Sequence, residues 1–133
     1  SMGFEVRWRI DPILPIEGWQ GVYAEFFVAA AENGHRPRRI TMGTYRETQK
    51  SLHTFAEGWG LPKMEWQPEG RTKSGMHFHL SPTGRTEIYR TLAAEIQQAW
   101  QPYGDVPIVA LCKEPTSIRR DAGLEHYMCN CGP

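Results

Sequence analysis

The 133-residue chain has no charge imbalance: 15 basic residues are matched by 15 acidic ones, for a formal net charge of +0. A global field that would draw it to a polyanion or an acidic membrane is excluded, though a local basic surface is not. Long apolar runs are missing as well. Nothing approaches the roughly 18 consecutive apolar residues of a membrane span, and nothing joins a charged start to an apolar middle as a secretion signal does. No membrane partner and a cytoplasmic location are therefore expected. Cysteine is scarce, the 3 being Cys112, Cys129 and Cys131. An odd number suits reduced thiols or metal ligands better than a disulfide framework. Repeats and low-complexity linkers are also lacking. The length suffices for one domain with a real core and not for two. The expectation is a single domain over residues 1–133, with 1–2 an expression scar and 125–133 a tail.

What is present is an alternation of strand and helix signals. Phe4 to Ile10 alternates apolar and polar residues, predicting a strand that stops at Asp11-Pro12. Trp19, Val22, Tyr23, Phe26, Phe27 and Ala30 recur at three and four, the stripe of a helix ended by Asn33-Gly34. RRITMG at 38–43 predicts a short strand. Tyr45, Leu52, Phe55, Ala56 and Trp59 then sit at helical spacing before Gly60. Met64 to Trp66 and Met76 to Leu80 each alternate around a polar stretch from Glu69 to Gly75, which predicts a β-hairpin with a long basic tip. Ser81 and Pro82 are an N-cap and first helical position, with Arg85, Tyr89, Leu92, Ile96 and Ala99 as the inner stripe. Gly104 leads into VPIVALCKEP at 106–115, and a last helix runs from about Thr116 to Ala122 before Gly123.

The apolar run Val106 to Leu111 ends abruptly in Cys112, Lys113, Glu114 and Pro115. So short and β-branched a run reads as a strand buried on both faces, which belongs to a parallel sheet. In such sheets the chemistry gathers beyond the carboxyl ends of the strands. The fold class is therefore α/β: parallel strands with crossover helices and an inserted hairpin. A closed eightfold barrel needs about 250 residues, so the chain supplies roughly half of one.

Four segments, WRIDPILPIEGW (8–19), RRITMGTYR (38–46), TKSGMHFHLSPTGRTEIYR (72–90) and VALCKEPTSIRRDAGLEHYMCNC (109–131), resemble in that order the later part of the radical S-adenosylmethionine barrel of spore photoproduct lyases and their relatives. The resemblance implies a half (β/α) barrel whose strand ends, carrying Arg9, Asp11, Thr41, Gly43, Thr44, Arg46, Cys112 and Glu114, face S-adenosylmethionine and substrate. It also implies a hairpin region that engages damaged DNA, with Arg71, Lys73, His77, His79 and Arg85 as nucleic-acid contacts. One departure is large. The family holds a [4Fe-4S] cluster through a CxxxCxxC loop, and no such loop occurs in this sequence. Alone, the chain is expected not to perform the family's chemistry.

Each candidate also has an ordinary role. Cys112, Cys129 and Cys131 with His126 make a Cys3His set for zinc or an iron–sulfur cluster, or are simply reduced thiols. Cys112 and Glu114 are the catalytic candidates. Glu114 suits a general base or cofactor contact, or a carboxylate stabilised by the dipole of the helix that follows. Arg9 and Asp11 line a pocket or merely cap a strand. His77 and His79 share a strand face at a spacing that can chelate a metal, or are incidental. Arg71 and Lys73 grip phosphates, or keep an edge soluble. Three functions compete. One is a truncated or split radical S-adenosylmethionine protein, completed by a cluster-bearing chain or by self-association. The others are a non-catalytic nucleic-acid-binding module and a small metal protein using the C-terminal cysteines.

Overall fold

The structure, a computed structural model, describes residues 5–48, 54, 57–59, 66–73 and 75–124, without the side chains of 47, 48 and 72. In chain order the elements are β1 (Arg7–Ile13), α1 (Trp19–Glu32), β2 (Arg39–Thr44), β3 (Arg46–Thr48), β4 (Trp66–Thr72), β5 (Gly75–Leu80), α2 (Pro82–Trp100), a 3-10 turn (Gln101–Tyr103), β6 (Ile108–Leu111) and α3 (Thr116–Asp121). Residues 54 and 57–59 are helical, as the spacing predicts; the rest of that expected helix lies outside the described residues.

Two sheets form. One is parallel, in the order β1-β2-β6, and the other antiparallel, in the order β3-β5-β4. The parallel sheet places Trp8, Ile40 and Val109 in one registered row and Ile10, Met42 and Leu111 in the next. These rows join Phe27, Leu92, Ile96 and Trp100 of α1 and α2 in a single apolar core. Because successive side chains on a strand point to opposite faces, the alternate rows lie on the face away from that core. They are Arg7, Arg39 and Ile108, then Arg9, Thr41 and Ala110. One face is therefore apolar under helices, and the other carries a polar column.

α2 forms as its sequence predicts. Ser81 Oγ accepts the Gly84 N–H at 3.1 Å, Pro82 sits in the first turn, and the stripe Ile88, Leu92 and Ile96 is fully buried. At its end Trp100 donates its indole N–H to the His35 carbonyl at 2.8 Å and meets Trp8 edge-on at 5.9 Å. This satisfies the one polar atom of the largest core side chain.

Several boundaries differ from expectation. β1 runs on through Asp11-Pro12, a cis peptide, to Ile13, with a register irregularity between Ile10 and Ile13. A proline is tolerated there because β1 stands at the end of the described strand order, where a missing N–H need not break a ladder. On α1 the buried residues are Phe27, Ala30 and Ala31, while Val22 and Phe26 are 65% and 51% exposed. Apolar residues flank the stripe on both sides, so spacing alone could not locate its centre. β4 extends to Thr72, so the hairpin tip is shorter than the sequence suggested. β3 falls where the helical spacing from Tyr45 predicts the start of a helix; three residues are too few to carry a period of their own.

Candidate functional site

At the carboxyl ends of β1, β2 and β6 the polar column reaches its last row. Asp11 folds its carboxyl group over Gly43, so closely that a Cβ on Gly43 would lie 2.8 Å from Asp11 Cγ and 2.9 Å from both carboxylate oxygens. Here glycine is required by close approach and not by backbone dihedrals. Arg9 Nη2 donates to Asp11 Oδ2 at 3.2 Å and to Cys112 Sγ at 2.7 Å. Cys112 continues the β6 ladder, its N–H donating to the Met42 carbonyl at 2.8 Å. A cavity of about 270 Å³ opens at this row, lined by Asp11, Gly43, Thr44, Arg46, Cys112 and Lys113 among others.

Behind the cavity a buried polar cluster joins the sheet to α2. Lys113 adopts φ 54, a left-handed conformation uncommon outside glycine. That turn presents its carbonyl to Arg46 Nη2 at 2.7 Å, and the Glu114 side chain that follows is only 1% exposed. Tyr89, on the inner face of α2, donates its hydroxyl hydrogen to Glu114 Oε2 at 2.5 Å and accepts the Thr44 N–H at 3.1 Å. Arg85, one turn earlier, brings Nε within 3.3 Å of Glu114 Oε1, an ion pair not aligned as a hydrogen bond, and Nη1 against His79 Nδ1. Arg46 Nη2 stands 3.9 Å from the same Glu114 oxygen. Burial pushes the Glu114 carboxyl above its usual range, against the opposing pull of the Tyr89 hydrogen bond and of Arg85 and Arg46. Burial, reinforced by the Glu114 charge, likewise raises the Tyr89 hydroxyl.

Arg46 also faces outward, with Nη1 2.8 Å from each oxygen of Glu69. Glu69 falls where the β4 register slips against β5, between Pro68 and Gly70. A bulge of this kind re-aims a side chain.

The expected strand-end residues Arg9, Asp11, Thr44, Arg46 and Cys112 therefore come together at one end of the parallel sheet. Thr41 lies one row below, fully buried. Glu114 joins from inside rather than from the rim. Arg71 and Lys73 are exposed on the hairpin, His77 is half-buried in register with Thr48, and His79 and Arg85 are interior. Cys129, Cys131 and His126 lie outside the described residues. Among the described residues no group of three or more His, Cys, Asp or Glu could hold a metal ion. Tyr89, Glu69 and Lys113 join this cluster without being candidates on sequence grounds. One signal did exist: Arg85 at the start of an otherwise largely apolar inner stripe calls for a buried counter-charge.

No protein-family model matches the sequence, and no curated protein matches it. Solved structures do resemble the fold. A spore photoproduct lyase variant with bound AdoMet and dinucleoside spore photoproduct superposes with a TM-score of 0.57 at 14% identity, over 82% of this chain and 33% of the lyase. A spore photoproduct lyase complexed with dinucleoside spore photoproduct gives a TM-score of 0.52 at 16% identity, over 79% of this chain and 32% of that one. The chain thus spans about a third of the length of these lyases. The likeness is one of fold: a parallel three-stranded sheet with its helices, similar to part of a radical S-adenosylmethionine enzyme. Among the described residues no helix is long and apolar enough to cross a membrane.

Proposed function

We propose that this chain is a half barrel forming the S-adenosylmethionine- and substrate-facing wall of a radical S-adenosylmethionine protein of the spore photoproduct lyase type. A cluster-bearing chain, or a second copy of this one, would complete it. The observation that supports this reading is the two-faced parallel sheet. Its apolar rows pack on helices, while its polar column of Arg9, Thr41, Asp11 and Cys112 ends in a cavity at the strands' carboxyl ends. That is where parallel α/β folds carry ligands.

The residues fit one end of S-adenosylmethionine. The Asp11 carboxylate and the Arg46 guanidinium bracket the cavity with opposite charges, suited to the ammonium and carboxylate of an amino acid. Gly43 leaves the space that Asp11 fills. About 270 Å³ is less than the roughly 300–1,000 Å³ that envelops a small ligand, so a second wall is part of the proposal. Bound beside a reduced cluster, S-adenosylmethionine supplies a sulfonium carbon bond open to reductive cleavage. The cluster does not fit this chain: the sequence has no CxxxCxxC loop, and the described residues offer no set of three metal ligands. The chain's own part is to bind and orient, with Arg46 and Asp11 holding ligand and Arg9 fixing Asp11 and Cys112.

Titration calorimetry with S-adenosylmethionine tests this. Saturable binding by the wild type, lost in Arg46→Ala, is expected, as is release of 5′-deoxyadenosine once a cluster-bearing chain and reductant are added. No heat of binding and no cleavage in the mixture would end the reading. The exposure of Arg71 and Lys73 on the hairpin favours a second reading, a nucleic-acid-binding module. Affinity for DNA that falls steeply with added salt would support it, and salt-independent or absent binding would remove it.

A further inference from the structure

Arg46 is held between two carboxylates of different character. Glu114 approaches from inside, 1% exposed and fixed by Tyr89 and Arg85. Glu69 approaches from the hairpin, its side chain 36% exposed against 27% for Arg46. Both Glu69 oxygens share the single Nη1 at 2.8 Å, so the pair lacks the parallel two-nitrogen fork of the strongest guanidinium–carboxylate contacts. A partly exposed pair of this kind is weak and easily exchanged. The Lys113 carbonyl, 2.7 Å from Nη2, keeps the guanidinium on the rim whether or not Glu69 is in place.

We infer that Glu69 is an exchangeable internal ligand of Arg46, and that a carboxylate-bearing ligand entering the cavity takes its place and releases β4 from its side-chain tie to the start of β3. The inference rests on the proposed binding of S-adenosylmethionine and adds to it a link between cavity and hairpin. The bulge at Glu69 is the device that makes the link, because this residue of β4 meets Arg46 at the start of β3 from the point where the register slips. Arg46 on β3 and Glu69 on β4 flank β5 in the antiparallel sheet, so breaking the pair removes a side-chain tie across β5 while the backbone ladders stay in place. Glu114 stays where it is, since withdrawing it would strand both Arg85 and the Tyr89 hydroxyl in the interior.

Two measurements on the full chain decide the matter. In calorimetry, Glu69→Gln removes the competitor and is expected to bind S-adenosylmethionine roughly two- to five-fold more tightly than wild type, the range of a surface pair. In hydrogen exchange, the backbone amides of 66–73 and 76–80 are expected to exchange faster in Glu69→Gln than in wild type. Adding S-adenosylmethionine to wild type should speed them similarly. If the wild type binds and Glu69→Gln binds equally or less well, the inference fails while the functional reading survives. Hairpin exchange unchanged by both the substitution and the ligand also overturns it. If no variant binds S-adenosylmethionine, the functional reading itself has failed and this inference falls with it.

Discussion

Replacing Gly43 by alanine is the most direct trial of the geometry at the cavity. The new methyl would sit 2.8–2.9 Å from the Asp11 carboxyl atoms, whereas carbon contacts are comfortable at about 3.5–4.0 Å. Asp11 must withdraw by roughly 1 Å, leaving a favoured rotamer at a cost of about 0.5–1.5 kcal/mol. It also gives up its 3.2 Å bond from Arg9, a half-exposed pair worth about 0–1 kcal/mol. Against this, alanine restricts the unfolded chain and returns about 0.4–1 kcal/mol. The single substitution is therefore a small destabilisation, and its sign is not the deciding quantity. The deciding quantity is coupling. In an Asp11→Ala background the obstruction is gone, so Gly43→Ala should be neutral or stabilising, giving a double-mutant coupling of about 1–2 kcal/mol. Urea unfolding of the four proteins measures it. A coupling below about 0.5 kcal/mol would mean that Asp11 does not lie across Gly43, and the cavity wall as described would be wrong.

Three further outcomes are expected. Tyr89→Phe leaves the buried Thr44 N–H and one Glu114 oxygen without their hydroxyl partner, and should cost about 2–4 kcal/mol in denaturant unfolding; a loss under 0.5 kcal/mol would contradict the cluster. Glu114, whose folded carboxyl is raised by burial, binds its proton more tightly folded than unfolded. Its contribution to stability is accordingly greatest below the ordinary carboxylate range and is lost as pH rises through the raised value. Urea midpoints of wild type and Glu114→Gln should diverge over that interval, and parallel curves would refute the burial argument. Ser81→Ala removes the acceptor of the Gly84 N–H and should lower stability by about 1 kcal/mol, with Ser81→Asp largely restoring it.

How much of this could be read from the sequence depends on the kind of interaction. α2 was legible because two local signals agree, a Ser81-Pro82 start and a stripe at helical spacing. β6 was legible because a short β-branched run between turn residues has few other fates. The parallel sheet followed from element order. β3 was not legible: three residues carry no period, and their pairing with β5 is a long-range contact. Around the cavity, strand-end placement explains why Asp11, Arg46 and Cys112 lie near one another, since parallel pairing brings strand ends together. It could not show that Glu114 turns inward to Tyr89 and Arg85, because that depends on one left-handed residue at Lys113. Nor could it show Glu69 meeting Arg46, which needs a bulge that no local composition announces.

The left-handed turn at Lys113 sets what substitutions that position will tolerate. Charge and length at 113 should matter little, since the contact made there is by a main-chain oxygen. Shape at the α-carbon should matter a great deal: glycine, asparagine and aspartate can follow the bend, whereas valine, isoleucine and threonine resist it. A residue on the wall of the cavity would then show the tolerance profile of a tight corner, and a survey of variants scored by side-chain chemistry alone would overlook its importance.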